Sequence, residues 1–402
     1  MMTRPLTGVR VLDLTRVWAG PLATQVLADF GAEVIKVEPP LAAVPQGEDA
    51  PGRRGPYFNQ YNRNKLGVII DLAQARGREL LLRLAASADV VAENFTPRVM
   101  PNLGLSYDAL ASANPRIVML SMPGLGLTGP QRDYVTWGVN IEGLSGIGAL
   151  TGYEDEGPLT GGMSYGDPVA GLHAALAVLM ALEWREATGR GCHIDLSQLE
   201  SLIPFLGEAL LACQMGADLR PMGNRHPMMA PHGVYRCGGD DEWIAIAVRT
   251  DEEWIRLCQA LGEQEWCADA GLRTADGRLG RQREIETRLE KHTRARGSVE
   301  LERKLLTAGV PAQRLNRVGD LFQDPQLRAR GAFVRVEANG EGFFPFRGIP
   351  LRLSASPGRI ARPAPLPGEH SDYVFGELLG MSPGERAELE RAGIISEAAS
   401  AS

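Results

Sequence analysis

Over the first two hundred positions, apolar residues fall alternately into short β-rich runs and longer stretches with helical spacing. Val9–Leu14 (VRVLDL) is a run of strand type. Pro21 stands where a helix begins, apolar residues recur at helical spacing through PLATQVLADF, and Gly31 supplies a C-terminal stop. Glu33–Val37 reads as the next strand, so the β-α-β unit takes about 30 residues, the size of a right-handed parallel crossover. The alternation continues with strands over Gly67–Asp71, Asp89–Glu93 and Arg116–Ser121 and a helix around Arg76–Ala86. A long apolar helix from Pro168 to about Arg185 and a strand at His193–Leu196 follow. This alternation predicts an α/β fold with a doubly wound parallel sheet.

Beyond residue 200 the texture changes. Met and Pro cluster in Pro221–His232 (PMGNRHPMMAPH), and 201–232 reads as a linker. Val234–Cys237 and Trp243–Val248 form a predicted hairpin, followed by helical patterns at Glu252–Leu261, Gln282–Lys291 and Val299–Ala308. The expected organisation is a large α/β domain over 1–200, the linker, a smaller α+β domain over 233–320, and a return segment over 321–402 completing the large domain. In that segment Val334–Glu337 and Phe343–Arg347 flank an Ala-Asn-Gly-Glu-Gly turn. The terminal SEAASAS reads as frayed.

Composition narrows the class. The chain has 402 residues, more than one core usually serves, with 44% apolar and 23% charged residues, an ordinary globular balance. A net charge of −7 argues against nucleic acid as a partner. No run of 18 apolar residues stands out and the first residues lack signal-peptide features, so neither a membrane nor export is expected. Five widely spaced cysteines without a C-x-x-C pair suit reduced thiols and a cytoplasmic location. No His and acidic residues stand at metal-ligand spacing, so no metal is expected. Four lysines stand against 38 arginines, so arginine forks or backbone N–H groups are the expected anion ligands.

Three motifs bear on chemistry. Gly124-Leu-Gly126-Leu-Thr-Gly129 matches G-x-G-x-x-G but is followed by no apolar helical face, so it reads as a loop rather than a dinucleotide site. Gly162-Met-Ser164-Tyr-Gly166 matches the nucleophile elbow G-x-S-x-G, with a helix after it but a turn-rich stretch before it. A serine hydrolase using Ser164 is therefore one alternative. Asp167, followed by Pro168, opens the long helix, and an aspartate there is a good N-cap in its own right. Held ionised by the helix N-terminus, the same carboxylate can attack a thioester carbonyl and form an acyl intermediate.

Six ordered blocks resemble the CaiB/BaiF-type family III coenzyme A transferases from about Leu6 to Gly393. They are LTGVRVLDLTRVWAGPLATQVLADFGAEVIKVEPP, YFNQYNRNKLGVIIDL, ADVVAENFTPR, GLGLTGP, GDPVAGLHAALAVLMALEWREATGRG and PLPGEH. The resemblance implies transfer of CoA between carboxylic acids, with Asp167 as nucleophile and acyl-CoA and a free acid as partners. CoA serves as substrate and carrier, with no other cofactor. It implies CoA contacts at Val17, Trp18, Ala19, Ile70, Asn94 and Phe95, with Trp137 also beside the site. The Ala19 N–H is implied as an oxyanion donor. Family members form interlocked ring-like homodimers, the site lying where the large domain of one chain meets the small domain of the other.

Departures from the family pattern shape the rest. Trp18 and Trp137 stand where a formyl-CoA branch has glutamine and tyrosine, which disfavours formyl-CoA/oxalate exchange. That branch's phosphate-binding cations are replaced by Pro39, Ala73 and Asn102, so Lys36, Arg63 and Arg98 become the candidates. A racemase branch has a histidine and an aspartate where this chain has Trp137 and Gly138, so racemisation of an acyl-CoA is the runner-up. A purely CoA-binding, non-catalytic module is a further alternative. Arg16, Arg225 and His226 are candidates for an acid's second carboxylate, which favours small dicarboxylates of the succinate, mesaconate or citramalate kind.

Overall fold

The computed structural model describes residues 4–40, 56–154, 156–337 and 343–396. The chain forms two compact units: Met1–Gly148 with Thr160–Ala217 and Arg328–Ser402, and Ala149–Leu159 with Asp218–Leu327. The second unit thus takes in eleven residues from the middle of the predicted large domain.

In the first unit, β1 (Arg10–Asp13), α1 (Ala19–Asp29), β2 (Glu33–Glu38), α2 (Pro56–Asn62), β3 (Leu66–Ile70), α3 (Ala75–Ala85) and β4 (Val90–Glu93) follow in order. After α4 (Val99–Asn102), α5 (Tyr107–Ala113) and β5 (Val118–Ser121) come α6 (Gly138–Ser145), the long helix Gly166–Thr188 and the strand Cys192–Asp195. The strands make one seven-stranded sheet in the order Ile395–Ser396, β3, β2, β1, β4, β5, Cys192–Asp195. All pair in parallel except the Ile395–Ser396 edge, which runs antiparallel to β3. The order reverses between β1 and β4. In open α/β sheets, ligands bind at such a switch point, beyond the carboxyl ends of the strands.

Alternation along the strands separates two cores, because successive side chains leave opposite faces. Leu12, Ile35, Val37, Val91 and Met119 face α3, α5 and the C-terminal helices, while Val11, Val34, Val90, Val118 and Leu120 face α1 and the long helix. The long helix is apolar enough by length and composition to cross a membrane. Its Ala170, Ala174, Val178 and Ala181 are buried in the sheet core.

The predicted linker is helical in its first part. Glu200–Leu206 forms a 3₁₀ turn and Gly207–Gln214 an α-helix, both within the first unit. The second unit has its own core, built on the strands His232–Arg236, Trp243–Ala247 and Ala312–Arg314 and centred on Trp254, Leu257, Ile285, Leu301 and Trp266. The Phe333–Glu337 and Phe343–Arg347 hairpin belongs to the first unit. The turn assigned to 338–342, and the terminal residues beyond Ser396, lie outside the described residues.

Candidate active site

A cleft of about 370 Å³ opens at the β1–β4 switch point. Three loops meet there: Arg16–Trp18 after β1, Asn94–Pro97 after β4, and Pro123–Gly124 after β5, with Tyr134–Val139, Ser164 and Asp167 closing the wall. Among the described residues lining it, Asp167 is the only carboxylate and Arg16 the only cation. Of the residues singled out in the sequence, Asp167, Arg16, Val17, Trp18, Asn94, Phe95 and Trp137 come together in this one cleft.

A buried polar cluster fixes the first loop. Asp13, at the end of β1, accepts from the Thr15 hydroxyl (2.5 Å), the Thr24 hydroxyl (2.7 Å) and Lys65 Nζ (2.8 Å), and pairs with Lys36 Nζ at 3.4 Å. Burial pushes the Asp13 carboxyl up, but Lys36 and Lys65 outweigh it and hold the group well below the usual carboxylate range. Lys36 also donates to the Thr15 carbonyl and Lys65 to the Pro21 carbonyl, tying both ends of the loop to one charge cluster. Within the loop, Val17 sits at φ 66, a region a β-branched residue enters at a cost of about 1–3 kcal/mol, held here by its surroundings.

Asn94 clamps the same loop from β4. Its Nδ2 donates to the Arg16 carbonyl (2.8 Å) and its Oδ1 accepts from the Arg16 N–H (2.7 Å), a pairing that only an amide side chain makes. The Phe95 N–H donates to Glu93 Oε2 at 2.7 Å, and the Arg16 guanidinium lies 5.9 Å from the Phe95 ring centre. Burial pushes the Glu93 carboxyl up to about 7, against the pull of its bonds from Ser121 and Phe95. Arg16 is pushed down from its ordinary value by burial, with the Glu38 carboxylate acting the other way.

Asp167 stands inside the first turn of the long helix, which begins at Gly166. It is not the N-cap, and its own N–H donates to the Ser164 carbonyl (3.0 Å). The helix end was expected to favour the ionised form of this carboxyl, and burial works against that preference. Burial pushes the carboxyl up to about 6, and the hydrogen bond from the Ala19 backbone only partly offsets that. The Ala19 N–H, expected to donate to an oxyanion, is the backbone group that favours the charged form of Asp167. Gly138 makes room for the carboxylate: a Cβ there would lie 2.1 Å from Asp167 Oδ2 and 2.6 Å from the Ser164 Cβ.

Other candidates lie elsewhere. Lys36 and Arg63 do not line the cleft. Lys36 is committed to Asp13, and Arg63 is buried against Asp29, Nη2 to Oδ2 at 2.6 Å. Buried cations stay charged only beside such partners. Ile70 is buried in β3, paired with Ile395, and is absent from the cleft lining. Arg98 is exposed one residue beyond Pro97. Arg225 and His226 belong to the second unit. Arg225 pairs there with Glu286 (2.8 Å) and Glu154 (3.1 Å), and the His226 ring lies 5.3 Å from that of His232.

The sequence reading missed Tyr57, Thr96, Tyr134 and Thr136 in the lining. Tyr57 was within reach, since it opens a block already singled out, and its ring lies edge-on to Trp18 at 6.3 Å. The G-x-G-x-x-G segment is a loop, and its Gly124 lines the cleft close under Thr136.

The sequence profile of CoA-transferase family III matches residues 6–371. The chain belongs to this family. It is 34% identical to the succinyl-CoA–D-citramalate CoA-transferase of Chloroflexus aurantiacus, over 98% of each chain. It is also 34% identical to the succinate–glutarate CoA-transferase of Agrobacterium fabrum, over 93% of this chain and 96% of that one. The solved structure of a CAIB/BAIF family protein from Brucella suis superimposes with a TM-score of 0.85 at 33% identity, covering 94% of this chain and all of that one. This family III protein is accordingly a CoA-transferase.

Proposed function

We propose that the protein moves CoA between small dicarboxylic acids, with Asp167 as covalent nucleophile. One observation carries the reading: a single desolvated carboxylate, Asp167, shares the switch-point cleft with a single guanidinium, Arg16. Relatives that act on succinate, citramalate and glutarate support the same substrate class.

In this reading an Asp167 oxygen attacks the thioester carbonyl, the C–S bond breaks, and CoA leaves as thiolate from a mixed anhydride. The thiolate then attacks the Asp167 carbonyl carbon, expels the donor acid and leaves an aspartyl-CoA thioester. The acceptor carboxylate attacks that thioester, and the released thiolate takes the new acyl group, freeing Asp167. No redox or metal chemistry enters these steps. Arg16 reads the far carboxylate as a guanidinium fork. Arg98 is the cation of the original set left for a CoA phosphate. Asn94 and Phe95 shape the CoA side of the cleft, and Trp18 and Trp137 wall the acyl group.

A homodimer is part of the proposal. Leu172, Leu176, Met180 and Trp184 recur at helical spacing on the exposed face of the long helix, an apolar stripe that a second copy would cover. A cytoplasmic location fits a CoA ester as substrate. Racemisation finds no base at Trp137 or Gly138. The hydrolase elbow lacks its strand, since the nearest preceding one, Gly157–Pro158, is outside the main sheet.

The test is an exchange assay with succinyl-CoA and a panel of free mono- and dicarboxylic acids, followed by mass spectrometry of the acyl-CoA products. Transfer to dicarboxylates, lost in Asp167→Ala and weakened selectively for dicarboxylates in Arg16→Ala, supports the reading. Equal use of monocarboxylates, or exchange surviving in Asp167→Ala, refutes it.

A further inference from the structure

Ser164 is the one motif serine that the mechanism above leaves without work, yet the structure puts it beside the nucleophile. Its Cβ and Oγ lie 2.6 Å and 2.9 Å from the point a Cβ on Gly138 would occupy, and Asp167 Oδ2 lies 2.1 Å from that point. The hydroxyl and the carboxylate oxygen are therefore no farther apart than the sum of the last two distances. Ser164 lines the cleft, and among the described residues its hydroxyl has no hydrogen-bond partner. Its backbone is strained as well, at φ 33 in a non-glycine residue, where strain tends to cluster at working sites. The turn thus holds a polar side chain, at some cost, where it bonds to none of the described residues.

Two of the four chemical steps proposed above put negative charge on Asp167 itself. When a thiolate or a carboxylate attacks the Asp167 carbonyl carbon, its carbonyl oxygen becomes an oxyanion. The Ala19 N–H lies near the Asp167 carboxylate, favours its charged form, and is one candidate donor. A second donor on the Gly138 side is missing from the backbone bonds, and Ser164 stands there. We propose that Ser164 is a catalytic residue whose hydroxyl donates a hydrogen bond to the oxyanion formed on Asp167 when its carbonyl is attacked. The hydroxyl keeps its proton throughout. The thiolate forms the new C–S bond, the charge sits on the Asp167 oxygen, and collapse expels the donor carboxylate. Preorganised donors of this kind are worth about 10²–10³ in kcat each.

The inference rests on Asp167 being the nucleophile, and the test keeps the two apart. Ser164→Gly removes the hydroxyl while allowing φ 33 without strain, and Ser164→Ala removes it while keeping the strain. Wild type and both variants are mixed rapidly with succinyl-CoA and quenched, and the CoA adduct on Asp167 is followed by mass spectrometry. The expected result is slower adduct formation and a kcat lowered about 100-fold in both variants, with KM for succinyl-CoA within about threefold and the acid limb of the pH profile unmoved. Wild-type rates in Ser164→Gly overturn the inference, as the serine would then serve the backbone alone. A displaced acid limb in Ser164→Gly overturns it too, since the hydroxyl would then act on Asp167's ionisation. Absence of any Asp167 adduct in the wild type overturns instead the underlying reading.

Discussion

Replacing Asp167 by asparagine should abolish exchange and yet stabilise the protein at neutral and alkaline pH. The carboxyl is raised from the ordinary 3.8 to about 6 because burial strips water from its charge. Such a rise means that the native state binds the proton more tightly than the unfolded chain does. Stability from this group is therefore full below about pH 4, is lost as pH climbs through 4 to 6, and stays lost above. At about 1.4 kcal/mol per pH unit the loss is about 3 kcal/mol, and about 2 kcal/mol once the water reaching a cleft-lining group is allowed for. Asparagine keeps the shape, can accept the Ala19 N–H, and carries no charge. Urea unfolding of both proteins near pH 4 and near pH 8 isolates the effect, because packing changes and all other titrations cancel in the difference. The variant should gain about 2–3 kcal/mol relative to wild type on going from the lower to the higher pH. An unchanged difference, or a variant that loses ground at pH 8, would refute the claim that the site stores a desolvated charge.

Other consequences are open to direct measurement. The acid limb of kcat/KM should fall near pH 6, with activity lost as pH drops and the nucleophile takes up a proton; a limb near pH 4 would contradict the burial argument. Gly138→Ala puts a methyl 2.1 Å from Asp167 Oδ2 and 2.6 Å from the Ser164 Cβ, and should cut kcat about 100-fold and cost about 1–3 kcal/mol of stability, read by activity and by urea unfolding. Asn94→Asp keeps the acceptor for the Arg16 N–H but sets a carboxylate against the Arg16 carbonyl, and should raise KM for acyl-CoA about tenfold or more by loosening the loop. In light scattering the protein should have twice the chain mass, and Trp184→Glu on the exposed apolar stripe should halve it.

The periodic parts of the fold were legible. Each of β1 to β5 lies within two residues of its predicted span at either end, because a parallel sheet covered on both faces demands β-branched runs. The helix α2 was not read: PYFNQYN has aromatic residues but no apolar period. The helical turns at Glu200–Gln214 were likewise hidden, behind a mixed composition and an internal Pro204. At the site, the resemblance to a known family singled out Val17, Trp18, Asn94, Phe95 and Trp137, and the fold brings them into one cleft with Asp167. Among the cations Arg16 lines the cleft, while Lys36 and Arg63 do not. Lys36 and Arg63 are conspicuous in a chain with few free lysines, but their partners Asp13 and Asp29 stand 23 and 34 residues away, so only the folded chain shows that their charges are spent inside. Asp167 was identifiable as an acid at a helix start. What the sequence could not convey is that α1 and α6 enclose it, so that desolvation outweighs the helix end.

The most direct test of the account is to incubate the protein with succinyl-CoA, trap the covalent species with hydroxylamine, and map the modified residue by mass spectrometry. A hydroxamate on Asp167, absent from Asp167→Asn, is the predicted result. Labelling of Ser164, or turnover with Asp167 unmodified, would contradict it.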